Sequence, residues 1–372
     1  MSLSITNSTP KKDGFRMPGE FEQHAGTWML WPIRTDTWRN GAKPAQQVFA
    51  KVVSSISEFE PVTVGVNAEQ YENARAMLPH HVRVVEISSN DAWMRDIGPT
   101  FVKNEEGVVR GINWGFNAWG GLQGGLYFPW DLDLMVKKKV LEIENKDCYE
   151  CTEFILEGGS ITVDGEGTLI TTEQCLLNKN RNPHLSKSEI EDKLKDYLNI
   201  EKVIWLKDGL IGDETDGHVD DLAFFVRPGE VAIGWTEDVN HPQYHVHQEA
   251  YKILREATDA KGRSLTIHKI ELPNELILSK EASENIDFAS SSYKREEGMP
   301  FVATYINCYL CNGAIIVPSF DDPSDDKARK KFEEIYPDRK VILIDTRELP
   351  IAGGNIHCIT QQQPASTSQQ NY

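Results

Sequence analysis

Glu157-Gly158-Gly159-Ser160-Ile161-Thr162-Val163-Asp164-Gly165-Glu166-Gly167-Thr168-Leu169-Ile170-Thr171-Thr172 decides how this chain folds. A carboxylate and two glycines open it. A short apolar run, a polar turn at 164–167 and a second apolar run follow, the pattern of a β-hairpin. Beyond it, residues 187–198 place Ile190, Leu194, Tyr197 and Leu198 on one helical face, and 203–206 reads as a strand. The unit is a hairpin, a helix and a strand, with its polar chemistry where the hairpin begins.

Working outward, the same parts recur. Hairpins are expected over 96–112, 217–233 and 304–317, turning at 104–107, 227–230 and Asn312-Gly313, and a fifth opens at Gly353-Gly354. Helix and strand pairs are expected at 48–59 with 61–66, 71–78 with 82–87, 247–257 with 265–270, and 327–336 with 341–344. Asp96, Glu157 and His218 stand about sixty residues apart, a spacing typical of repeated supersecondary units. Repeats that close around an axis bring equivalent strand ends to its centre. The expected fold is therefore α/β: a closed five-bladed pseudo-fivefold α/β propeller of repeated ββαβ-type units, with the active site at the centre. An ordinary α/β sandwich with chance spacing is the competing arrangement.

The chain has 372 residues, 40% of them hydrophobic, enough for a large core. One domain is expected over 1–372, with 1–13 and the Gln/Ser-rich tail (363–372, its disorder setting in from Gln361) as flexible ends and 279–299 as an insertion beside the pocket. No apolar run is long enough to span a membrane. The polar start lacks the pattern of a secretory signal, and six cysteines fit a reduced, cytoplasmic protein. A net charge of −18 disfavours nucleic acid and anionic membranes as partners and suits a small cationic substrate.

Gathered by place in the repeat, the hairpin starts supply Trp93, Arg95 and Asp96, then Glu157, then Asp213, Glu214, His218 and Asp220, then Cys358. Cysteine with histidine is a nucleophile and proton-transfer pair, and Glu157 can hold the imidazole's other nitrogen. Two carboxylates in a closed pocket call for a cation. The flat fork of a guanidinium satisfies Asp96 and Asp220 directionally, as an ammonium cannot. Cys358 would then face its central carbon.

Five segments carry a family resemblance. Gly353-Gly354-Asn355-Ile356-His357-Cys358-Ile359-Thr360-Gln361-Gln362 resembles the nucleophile motif of the agmatine deiminases. Trp93-Met94-Arg95-Asp96-Ile97-Gly98-Pro99-Thr100, Glu157-Gly158-Gly159-Ser160, Thr215-Asp216-Gly217-His218-Val219-Asp220 and His24-Ala25-Gly26-Thr27-Trp28-Met29-Leu30-Trp31-Pro32 are similar to its other motifs, in order. Ala352 stands where similar proteins often have a third glycine, which implies an ordinary backbone there. The resemblance implies the propeller of the guanidine-modifying superfamily and hydrolysis of agmatine to N-carbamoylputrescine and ammonia, in putrescine and polyamine biosynthesis. It implies catalysis by Cys358, His218, Glu157, Asp96 and Asp220 through an amidino-cysteine intermediate, with no metal and no cofactor. Asp213 or Glu214 would meet the amine of agmatine, Trp93 or Trp119 would cover its methylenes, and Gly354 would border the substrate. Arg95 reads as support for Asp96 or another acid. A homodimer is the default assembly.

Other readings compete. Cys148-Tyr149-Glu150-Cys151 and Cys308-Tyr309-Leu310-Cys311 are two C-x-x-C pairs that could mark a zinc module, although cysteines three apart on a strand face opposite ways. His241, His245 and His247 read as a polar helix entrance at the surface. Within the enzyme class, a relative acting on arginine or an amidinotransferase is the nearest rival.

Overall fold

The computed structural model describes residues 2–366. Its opening unit shows how local chemistry sets the fold. In the 164–167 turn, Asp164 Oδ1 accepts the N–H groups of Glu166 and Thr168, both at 2.8 Å. Thr168–Thr172 then pairs antiparallel with Thr162–Val163 and parallel with Lys202–Leu206. A parallel partner requires a crossover, and helix Lys187–Leu198 supplies it. Ser186 and Glu189 form a capping box at its start, and Asn199 ends it in the left-handed region. Ile190, Leu194, Tyr197 and Leu198 are buried, as their spacing predicts.

Four further sheets follow this plan. Thr100–Asn104 and Val109–Gly115 are joined in parallel by Cys148–Ile155, reached through helix Asp131–Ile143. Ala223–Arg227 and Glu230–Trp235 take Thr266–Glu271 through helix Tyr244–Glu256. Tyr309–Cys311 and Ala314–Ser319 take Lys340–Asp345 through helix Asp325–Ile335. The last sheet joins the two ends of the chain: Gln361–Pro364 lies antiparallel to His24–Leu30, followed by Val62–Val66 and Arg83–Glu86 in parallel. The result is a mixed α/β fold in which the crossover helices pack against the sheets. Among the described residues, no helix is long and apolar enough to cross a membrane.

Several expectations need correction. Gln361–Pro364 is not a disordered tail: it is a buried strand, and Trp28 Nε1 donates to Gln363 Oε1 at 3.1 Å. At the other end, Ser4–Ile5 pairs with Cys148–Tyr149, so 2–13 is not wholly a loose arm. Met1 and residues 367–372 of the expected tails lie outside the described residues. Helix Asp131–Ile143 and strand Cys148–Ile155 complete a sheet and were absent from the expected repeat. His247 is not at the surface: it is fully buried against Gly234, and among the described residues neither ring nitrogen has a hydrogen-bond partner. Burial first, and the nearby His241 second, hold its pKa down at about 3.

The C-x-x-C pairs behave as strand residues. Cys148 and Cys311 face one hydrophobic core, whereas Cys151 and Cys308 belong to two others. All six cysteines are unpaired and buried, and each of these four packs as a small hydrophobe.

Candidate active site

Short irregular segments at the hairpin starts carry the polar groups. Asp96 lies in the one-turn helix Met94–Ile97, Glu157 just before the turn Gly158–Ser160, and Asp220 in the turn Val219–Asp221 that follows His218. Cys358 follows the turn Pro350–Ala352, which Gly353 closes at φ 103°. Only glycine takes that angle without strain. Ala352 keeps an ordinary backbone, as expected from its Cβ.

The structure brings the five predicted catalytic residues together. His218 Nδ1 stands 3.9 Å from Asp96 Oδ2 and 4.0 Å from Asp220 Oδ1, while its Nε2 is 3.9 Å from Glu157 Oε2. Cys358 Sγ is 3.8 Å from Asp220 Oδ2. All are buried, and among the described residues Glu157 Oε2, His218 Nε2 and Asp220 Oδ1 have no hydrogen-bond partner. Glu157 faces His218 but does not hydrogen-bond it at this separation. A site with open donors and acceptors is set to receive a polar ligand.

Gly159 lies at the middle of this group. Its N–H donates to Asp96 Oδ1 at 2.8 Å. A Cβ there would stand 2.6 Å from His218 Nδ1, 2.9 Å from Asp220 Oδ2 and 3.1 Å from Asp96 Oδ1. Gly159→Ala is therefore expected to lower kcat/KM by about 100-fold or more with little change in the unfolding midpoint. Steady-state kinetics beside a denaturant curve check it, and near-normal kinetics would refute the crowding.

The electrostatics follow from burial among acids. Burial, then Asp220, Asp221 and Asp96, push the Cys358 thiol well above its usual pKa. Burial opposes charge on His218, but Asp96, Cys175 and Asp220 outweigh it and hold the imidazole protonated well above its ordinary range. Burial raises Asp96 above the usual carboxylate range. Lys137, buried beneath, donates to the Asp96 carbonyl at 3.2 Å and is drawn down to about 8 by burial.

Supporting residues escaped the sequence reading. Arg181 is fully buried and donates from Nε to Glu157 Oε1 at 2.7 Å, and from its other nitrogens to the Trp119 and Thr215 carbonyls. Asn307 Nδ2 lies 3.1 Å from Cys358 Sγ, and its Oδ1 accepts the N–H of His357 at 2.9 Å. It stands at the start of the fourth hairpin, the one repeat position left without a candidate. His357 also adjoins Asp220, and Glu20 in turn adjoins His357. Glu157, Cys175 and His218 place donor atoms within 4.8 Å of one another, a set zinc can accept. Arg181 already sets a fixed positive charge on Glu157, which opposes a second cation there.

The remaining predicted residues divide. Trp93 lies over Gly354, where a Cβ would meet the indole at 2.6 Å, and it stacks on Trp38. Trp119 Nε1 donates to Asp96 Oδ2 at 2.8 Å, so its indole orients that carboxylate. Asp213 does not offer a free carboxylate to an amine: its oxygens accept the N–H groups of Thr215, Gly217 and His218 and fix the loop before the histidine. Glu214 pairs with Arg295 from the insertion, and Arg295 also donates to the Ala352 carbonyl. The two line a cavity of about 110 Å³ with Leu278, Tyr293 and Phe301. Arg95 supports Glu20 rather than Asp96.

Comparison with known proteins shows what the chain as a whole resembles. A family model for Porphyromonas-type peptidyl-arginine deiminases matches residues 16–364. An agmatine deiminase of Pseudomonas aeruginosa is 56% identical over 364 residues, 98% of this chain and 99% of that protein. The solved agmatine deiminase of Enterococcus faecalis superposes with a TM-score of 0.96 at 50% identity, covering 98% of this chain and 100% of the other. That of C. jejuni, solved with substrate bound, gives 0.80 at 27% identity over 95% and 97%. The chain belongs to the Porphyromonas-type peptidyl-arginine deiminase family and, within it, to the agmatine deiminases.

Proposed function

We propose that this protein hydrolyses agmatine to N-carbamoylputrescine and ammonia, with Cys358 as nucleophile, in putrescine and polyamine biosynthesis. One observation carries the reading: the buried Cys358 thiol stands among carboxylates, 3.8 Å from Asp220 Oδ2, and among the described residues Asp220 Oδ1 accepts no hydrogen bond. A guanidinium supplies the missing donors and the missing positive charge together. Its charge also offsets the acids that hold Cys358 as a thiol, so ionisation accompanies binding.

The thiolate adds to the guanidinium carbon, giving a neutral tetrahedral adduct. Protonated His218 passes its proton to one NH₂, ammonia departs, and a cationic amidino-thioether remains. Neutral His218 then takes a proton from water, whose oxygen adds to the same carbon. Expulsion of the thiolate leaves the ureido product, and the residual proton leaves with ammonia as ammonium. Glu157 faces the imidazole in both protonation states, while Asp96 and Asp220 hold the guanidinium.

Agmatine is favoured over arginine because, among the described residues, a carboxylate finds no free cation beside Gly353. Arg295 is bound to Glu214 and Arg95 to Glu20. Glu214 is the amine-end acid in this reading, with Trp93 over the methylene chain and Gly354 beneath it. Ammonia release from agmatine and from arginine is the decisive assay: turnover of agmatine is expected, and turnover of arginine alone would overturn the assignment.

The same reading makes the five sheets the blades of one closed propeller formed by a single domain. Its support is the repeated order of antiparallel hairpin and parallel third strand, with a site residue at each hairpin start. Small-angle scattering checks the shape. Cytoplasmic residence and a homodimer complete the proposal, checked by cell fractionation and sedimentation.

A further inference from the structure

Beside the guanidinium site, Asp220 is continued by a half-buried chain of polar groups, His357 and Glu20, that the proposed chemistry does not use directly. His357 sits between two carboxylates, with Nδ1 2.7 Å from Asp220 Oδ2 and Nε2 2.8 Å from Glu20 Oε2. An ionised carboxylate only accepts, so a ring bonded to both carries a proton on each nitrogen. Burial and Arg95 oppose that charge, but Glu20 and Asp220 outweigh them, and the pKa of His357 is raised. Glu20 is itself pinned by Arg95 Nη2 at 3.3 Å and by the Leu310 N–H at 2.9 Å. Burial works against its ionisation, yet His357 and Arg95 bring its pKa down to about 2.

Asp220 needs such an anchor. Around it stand Asp96, Asp221, His218 and Cys358, and its Oδ1 has no partner. With one oxygen tied to His357, the other is left to the site.

We infer that His357 is a positioning residue for the reaction: backed by Glu20 and Arg95, it fixes one oxygen of Asp220 so that the other meets the guanidinium. This rests on the function proposed above and adds to it a residue that touches neither the substrate nor the reacting carbon.

The test uses two amides of opposite reach. In His357→Asn the side-chain amide falls near the place of Nδ1 and can still donate to Asp220; in His357→Gln it falls near Nε2 and reaches Glu20 instead. His357→Ala and His357→Gln are expected to lower kcat/KM for agmatine by about 100-fold, while His357→Asn stays within about tenfold of the native enzyme. A merely structural histidine would show no such preference for Asn. NMR of the native enzyme should show two imidazolium N–H signals without substrate, and in Glu20→Gln the ring should titrate at lower pH. Equal impairment of the Asn and Gln variants, native kinetics in His357→Gln, or a neutral ring would each overturn the inference. Inertness of the native protein toward agmatine would overturn the proposed function, whereas the NMR arm needs no turnover and still decides the state of His357.

Discussion

Cys358→Ser is expected to abolish ammonia release from agmatine, by at least about 10⁴-fold, and to remove the covalent adduct that mass spectrometry should detect on the native chain. Serine fills the same space, so the loss is one of reactivity. A hydroxyl nucleophile needs a neutral base beside it, and His218 cannot serve: Asp96, Cys175 and Asp220 keep it protonated against the pull of burial. The thiol, by contrast, needs only the charge of an incoming cation. The same logic sets a pH dependence. Burial and the surrounding acids hold Cys358 protonated in the free site, so alkylation by a neutral reagent should rise about tenfold per pH unit through about pH 9. A plateau at neutral pH would mean that a thiolate is already present without substrate. An adduct surviving in Cys358→Ser would place the nucleophile elsewhere.

Arg181→Met should produce the largest loss of stability, about 3–5 kcal/mol in denaturant unfolding. The guanidinium is fully buried and joins four stretches of chain. It binds Glu157, the Trp119 carbonyl, Asn180 with Asp216, and the Thr215 carbonyl, all at 2.7–3.0 Å. Methionine fills much of the volume but leaves Glu157 buried and charged without a partner. Replacing that acid as well, in Arg181→Met with Glu157→Gln, should restore part of the stability and none of the activity. The gap between the double variant and the sum of the singles measures the coupling. A single-variant loss below about 1 kcal/mol, the size of one ordinary hydrogen bond, would show that solvent reaches the pair.

Hairpins were legible in the sequence because their turns are local: Asp164 and its glycines bend the chain without help from elsewhere. Helix 187–198 was legible to the residue because its cap and apolar face agree. Helix Asp131–Ile143 was hidden because its buried face mixes Asp133 and Lys137 with Val136, Val140 and Leu141, while Leu132, Leu134 and Met135 are exposed. The buried Asp133 accepts from Tyr127 and Asn90, and Lys137 from the same helix reaches Asp96. Site needs override periodicity there. Cys358, His218, Glu157, Asp96 and Asp220, the proposed catalytic set, could be gathered from sequence because such chemistry is named by residue type, and the fold brings them together. Arg181, Asn307 and Glu20 act across segments brought together only by the fold. Asn307 alone had a sequence signal, its place at the start of the fourth hairpin. Gln361–Pro364 misled for a simpler reason: glutamine-rich composition suggests a tail, yet here buried amides pair across a seam.

That seam fixes an order of manufacture. Gln363 bonds Trp28 across 335 residues, and Cys358, the proposed nucleophile, lies just before the strand that makes the contact. His218, Glu157, Asp96 and Asp220 are all translated long before the thiol arrives to meet them. On the proposed mechanism a nascent chain carries an inert half-site, and any product truncated before Cys358 stays inert however well its earlier sheets have formed. Catalytic competence in this molecule doubles as a certificate that the ribosome has read through to the closing strand.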